Sequence, residues 1–398
     1  MTIFGLLGLL ISLAGFRFAR AMESRSRLVL FVMLLLAHVG AAVAYYLYAQ
    51  EFGGDVAMYY NDPYGVYGQI SGLSTAFVIN FVQFLKSYFG GSFLDYFMLF
   101  QAMGFWGILF VMRTFDDIHQ ELGQPLFKYV YLLLFLPGLH FWTSAIGKDA
   151  PLFLGVAMCT WAVFRPRSRY LIFVAGIVIT LVIRPHIALI ALSALSLTVL
   201  FEPRTRLLVR LALLVMALAA VGMVAGLVQN SFYGLNLSNA DSVSDFFATK
   251  STVSEESGGD ISIIGASFPV KLFSLLFRPF FLDAIGLLGY VASLENVMLL
   301  GIFVLLMRRS GTALAVARRT LFARFCLFFF VMLTILLAMV NYNVGLGLRQ
   351  KMMMMPTLLV FFATVRAVRA ARRQAVYDPG AAAYAGAPVA TPGYRAAI

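Results

Sequence analysis

Arg184 is followed by Pro185 and His186, and its nearest acidic neighbours along the chain are Asp149 and Glu202. A guanidinium with no local carboxylate suits a bound anion, because its planar fork meets phosphate oxygens two at a time and stays charged at any relevant pH. The competing reading is an arginine that reaches from a helix end to the membrane interface. Two further arginines are placed comparably: Arg278, before Pro279, and Arg349, which closes the stretch beginning at Asn341. Three converging guanidinium groups would suit a diphosphate. Lys148 and Asp149 are adjacent and could neutralise one another as a structural pair at a helix boundary. Gly53-Gly54-Asp55 is too short for a nucleotide-binding loop and, taken alone, reads as a turn after an apolar run. Glu295, beside Asn296 inside another apolar run, has to pair with a second buried group.

Other chemistries find no pattern. The four histidines include no pair at metal-ligand spacing, and there is no HExxH helix, nucleophile elbow or phosphate-cradling glycine loop. His38 falls within an apolar run and reads as a core hydrogen-bonding residue, His119 as a solvated one. The two cysteines, Cys159 and Cys326, each lie in apolar runs and read as packing residues. No metal and no cofactor is expected.

These residues must be held by a membrane scaffold. Of 398 residues 61% are hydrophobic and 12% charged, against roughly a quarter charged in an average soluble domain. The net charge of +12 could signal nucleic acid, but the basic residues cluster between apolar runs, so none is expected. Apolar runs at 2–16, 28–49, 93–112, 129–146, 150–164, 170–183, 187–201, 207–228, 282–307, 325–340 and 352–365 predict an all-α, polytopic transmembrane bundle of about eleven spans. The first run lacks an initial basic region and a small-residue cleavage site, and so reads as a span. The bundle occupies 1–370, and 371–398, rich in Ala, Gly and Pro, reads as a disordered cytoplasmic tail.

Loops near 17–27, 113–128, 165–169, 202–210 and 308–324, with the tail after 366, hold 22 of the 30 Lys and Arg. The positive-inside rule then puts the C-terminus in the cytoplasm and the N-terminus outside. The opposite face carries the loops 50–92 and 229–281, and within them 73–89 and 262–281 are apolar enough for interfacial or re-entrant helices. Runs 150–164 and 170–183 cover only roughly 21–23 Å against a hydrocarbon core of ~30 Å. Arg165, Arg167 and Arg169 pin their cytoplasmic ends, so Lys148, Asp149, Arg184 and His186 fall below the outer membrane surface. Arg349 and Lys351 follow by the same argument.

Gly53-Gly54-Asp55 with Tyr59 and Tyr60, the run Phe141 to Asp149, Arg184-Pro185-His186, Phe277-Arg278-Pro279-Phe280, Leu294-Glu295-Asn296 and Asn343 to Arg349 together resemble bacterial inner-membrane proteins of surface-polysaccharide synthesis. The likeness is to O-antigen polymerase (Wzy-type) and EpsG-like proteins, more distantly to GT-C glycosyltransferases, and it spans nearly the whole chain. It implies a glycosyltransferase or polymerase that takes sugar from a polyprenyl-phosphate-linked donor at the outer face of the inner membrane and passes it to a saccharide acceptor. Other polysaccharide-assembly proteins are possible partners. Asp55 matches the GT-C acidic base of the first large outer loop, although here it follows the second span; Asp149 and His186 are the other candidate bases. Tyr59, Tyr60, Lys148, Arg184, Arg278 and Arg349 are the expected substrate contacts. A metal-binding acidic pair is not evident in Gly-Gly-Asp. The rival readings are a transporter or flippase of lipid-linked oligosaccharide and a non-catalytic scaffold of a polysaccharide assembly.

Overall fold

The computed structural model describes residues 3–19, 25–68, 72–122, 128–202, 205–223 with gaps, and 261–377 apart from 262, 264, 285 and 342. It is all-helical, 84% helix, with no strand among the described residues. Among the described residues five helices are long and apolar enough to cross a membrane: Ser26–Phe52, Phe93–Glu121, Gly286–Met307, Leu321–Val340 and Val344–Arg373. Shorter apolar helices accompany them, and the protein is membrane-embedded. The expected span 207–228 is described only in part, while its end at 224–228, the long loop from 229 to 260 and the tail from 378 lie outside the described residues.

The helices are α1 (Ile3–Ala19), α2 (Arg25–Phe52), α3 (Asp55–Asn61), α4 (Thr75–Phe89), α5 (Phe93–Leu122), α6 (Lys128–Leu132), α7 (Pro137–Trp142), α8 (Asp149–Phe164), α9 (Tyr170–Ile183) and α10 (Pro185–Leu200). Beyond the long loop come α11 (Phe268–Phe277), α12 (Gly286–Met307), α13 (Ser310–Arg319), α14 (Leu321–Val340), α15 (Val344–Gln350) and α16 (Met355–Tyr377). Burial separates the interior from the rim. In the spans built on α5 and on α15–α16, 83% and 94% of the apolar window is buried, against 22% and 33% in α2 and α12. The outer pair therefore turns most of its surface to lipid.

Three expected elements differ. The run 129–146 is not one helix: α6 passes into a 3-10 turn, Leu133–Phe135, and Pro137 begins a separate short helix. Proline disfavours the helical conformation at the residue before it, and Leu136 is extended, at φ −55°, ψ 122°. Conversely, α5 runs through 113–122, where a loop was expected. Two of its carboxylates are buried in pairs there, with Arg27 on Asp116 and Arg169 Nη1 donating to Asp117 at 2.6 Å. The last helix likewise continues to Tyr377, past the boundary placed at 370.

Small residues let helices meet backbone to backbone, as is usual where packing rather than water drives association. A Cβ on Gly155 of α8 would stand 2.9 Å from the Gly176 carbonyl of α9, and one on Gly176 would stand 2.7 Å from Gly155. This crossing fixes α8 and α9 so that Asp149, at the start of one, comes near Arg184, at the end of the other.

Candidate functional site

Asp55 is presented by a glycine hinge. Gly53 and Gly54 have φ of +72° and +104°, a region that L side chains avoid, and they stop α2 and start α3 without a loop. The N-cap of α3 is Gly54, with no side-chain cap. The Asp55 carboxylate therefore does not cap its own helix. It reaches across the fold, where Arg349 Nη1 donates to its Oδ2 at 2.6 Å.

Arg349 holds two carboxylates at once, because its Nε also donates to Asp149 Oδ2. The two acids differ sharply in surroundings. The Asp149 side chain is 7% exposed and Asp55 54% exposed. Asp149 thus acts as the buried counter-charge, while Asp55 faces outward. Burial disfavours the Asp55 anion, but the Arg349 guanidinium outweighs it and holds the carboxyl below its ordinary range.

Arg184 approaches the same acid from the α9–α10 break. Its backbone is extended before Pro185, which opens α10 at the first helical position. Nη2 lies 3.9 Å from Asp149 Oδ1, and the buried Nε has no hydrogen-bond partner among the described residues. This guanidinium is only loosely engaged. His186 sits in the field of Arg184 and Lys148, and Lys148 Nζ donates to Thr75 Oγ1 at 3.0 Å. Five elements therefore bring Asp55, Asp149, Lys148, Arg184, His186 and Arg349 to one recess.

Tyr59 is buried against it. The Gly147 backbone, at φ +147°, is so close that a Cβ would lie 3.1 Å from the Tyr59 ring and 3.9 Å from Arg349 Nη2. Tyr60 turns elsewhere, donating to the Gly91 carbonyl at 2.9 Å and lying under Lys86 at 4.0 Å. Arg278 is not drawn into the cluster. Asp283 takes it bidentately, at 2.8 and 2.9 Å, and the guanidinium in turn holds the Asp283 carboxyl below its ordinary range.

Glu295 finds its buried partner in the Gly138 N–H, which donates at 2.5 Å, and in the neighbouring Lys351 charge. Lys351 donates to Asn296 Oδ1, and Asn296 Nδ2 donates to the Pro279 carbonyl at 2.8 Å. This lock fixes the chain two residues beyond Arg349. Asn343 adds a cap, its Oδ1 accepting from Leu346 N at 2.6 Å. His38 and His140 form another buried pair, Nδ1 to Nδ1 at 3.1 Å, which no sequence spacing indicated. Thr75 carried no signal either, and Tyr45, whose hydroxyl feels Arg349, Asp149 and Asp55, lay unmarked in an apolar run. Gly147 was the visible clue, a glycine directly before Lys148-Asp149.

Among the described residues no group of three or more His, Cys, Asp or Glu could hold a metal. The arrangement offers an outward carboxylate, a buried counter-anion and three cationic groups, which together can bind a phosphate and accept a proton beside it. No protein-family model, curated protein or solved structure matches the chain.

Proposed function

We propose that the protein is a membrane glycosyltransferase or polysaccharide polymerase that draws sugar from a polyprenyl-phosphate-linked donor at the outer face of a bacterial inner membrane. In this reading about eleven spans cross the bilayer, with the N-terminus outside and the C-terminus cytoplasmic, as the basic loops dictate. The observation that carries it is the shared guanidinium. Arg349 joins an exposed carboxylate to a buried one, next to the loosely held Arg184.

The acceptor hydroxyl oxygen attacks the anomeric carbon, the bond from that carbon to the phosphate oxygen breaks, and the hydroxyl proton passes to Asp55. Negative charge appears on the departing phosphate, where Arg184, Arg349 and Lys148 stabilise it. An incoming phosphate competes with Asp55 for Arg349. As the guanidinium turns to the phosphate, Asp55 loses the charge that depresses its proton affinity and becomes a better base. Asp149 stays behind as the fixed counter-charge that keeps Arg349 in place.

Asp55→Asn tests this reading directly. Since Asp55 does not cap its helix, the amide costs little structure but cannot accept the proton, and the yield of extended lipid-linked saccharide at matched membrane abundance should fall by about 10²–10⁴. Wild-type yield would remove Asp55 from the reaction.

A transporter of lipid-linked saccharide is the second reading. The observation favouring it is that buried polar groups extend beyond the recess, through Lys351, Asn296 and Glu295 and separately to His38 midway along α2. A transporter keeps moving its cargo when Asp55 is amidated, and forms no new glycosidic bond.

A further inference from the structure

Beside the charged recess lies a cavity of about 300 Å³ between α4, α5, α8 and α9, lined only by apolar side chains, among them Phe77, Phe81, Phe100, Pro151 and Ile183. A second, of about 210 Å³, lies between α1, α5 and α8 and shares Met103 and Leu154 with the first. The two are separate cavities that adjoin at these side chains, an apolar track divided by Met103 and Leu154. Its upper rim is stitched to the cationic groups: Pro151 is two residues from Asp149, Ile183 directly precedes Arg184, and Phe77 is two residues from Thr75, which accepts from Lys148. Ser74 N donates to the Val182 carbonyl at 2.8 Å, tying the start of α4 to the end of α9 above the cavity. Val178 on its wall is 51% exposed, so the track opens sideways toward lipid.

A cavity without polar lining gives water no partners and stays dry. In a bilayer such a lining is compatible with hydrocarbon. What distinguishes this cavity from any crevice between helices is its end, where Lys148 and the underused Arg184 stand, the charge complement of a phosphate. Resting on the donor reading above, we infer that the track holds the head-proximal part of the donor's hydrocarbon tail, with the phosphate on Lys148 and Arg184, so that the sugar is set toward Asp55. Specificity then comes from packing, since lipid tails gain nothing by leaving other lipid.

The experiment uses the full-length protein in lipid nanodiscs and a long-chain polyprenyl diphosphate with a photoreactive diazirine in its first isoprene unit. The expected adducts fall at the head end of the track, around Phe77, Pro151 and Ile183. Unlabelled polyprenyl diphosphate should compete them away, whereas phosphatidylglycerol and inorganic diphosphate should not. Leu154→Trp fills the junction of the two cavities. Val178→Trp, at an exposed wall position where folding is little at risk, narrows the mouth. Each should lower apparent affinity for the probe by about tenfold, the scale of a few lost packing contacts.

Adducts elsewhere that polyprenyl diphosphate still competes would overturn the track assignment and leave the donor reading standing. Adducts on the track that phosphatidylglycerol competes equally well would show a general lipid crevice and also overturn it. No competed adduct at any site, with wild-type protein, would defeat the donor reading and the inference with it.

Discussion

Asp149 and Asp55 share one guanidinium but should respond differently to its loss. Arg349→Ala strands a carboxylate that is 7% exposed, and removing one partner of a buried pair costs about 3–5 kcal/mol. The lower end applies, since Arg184 remains 3.9 Å away. Asp55→Asn touches a side chain that is 54% exposed, where solvent screening limits a pair to about 1 kcal/mol or less. Thermal unfolding in detergent should therefore show a large fall in midpoint for Arg349→Ala and little change for Asp55→Asn, and equal falls would contradict the division of roles. The pH dependence has a definite sign. The folded Asp55 carboxyl is depressed by Arg349, so its small stabilisation is present above its unfolded value and fades as pH falls through the lower folded one. Arg349→Lys keeps the charge but cannot bridge two carboxylates from a planar fork, so activity should fall with it.

The elements position these groups through breaks in helices. Gly54 holds φ +104° and Arg184 ends α9 directly against Pro185. Gly54→Ala forces a side chain into a conformation that costs about 1–3 kcal/mol, so α3 should shift and saccharide yield should drop with Asp55 itself unchanged. A fully active Gly54→Ala would mean that the hinge does not place the carboxylate. The apolar patterns at 73–89 and 262–281 already marked the helices that became α4 and α11, and the short runs at 150–164 and 170–183 placed Asp149 and Arg184 at neighbouring helix ends. What hydropathy hid was local polar chemistry. The ion pairs of Asp116 and Asp117 carry α5 through residues that look like a loop, and Pro137 splits a run that looks like a span. The bridge from Arg349 to Asp55 joins residues 294 apart, a separation no sequence spacing encodes. Arg278 looked equivalent to Arg184, and only the fold reveals that Asp283, five residues on, takes it.

Across the whole molecule, the proposed chemistry requires the recess to open on the outer face. Cys159 and Cys326 are both buried, so the wild-type chain should resist an impermeant maleimide and single cysteines can report. Ser87→Cys, exposed on α4, should label from outside intact cells. Ser168→Cys, exposed among Arg165, Arg167 and Arg169, should label only after the membrane is opened. Labelling of both from the same side would invert or break the topology. A lipid-linked sugar phosphate seated on the arginines, with Asp55 beside its reacting carbon, would be visible in a density map of the protein with such a donor bound. Phosphate density is expected within charge-assisted hydrogen-bond reach of Arg184 and Arg349, about 2.7–2.9 Å, with the Asp55 carboxylate released from Arg349 and facing the anomeric carbon. Donor density away from the recess, with Arg349 still bridging Asp55 and Asp149, would contradict it.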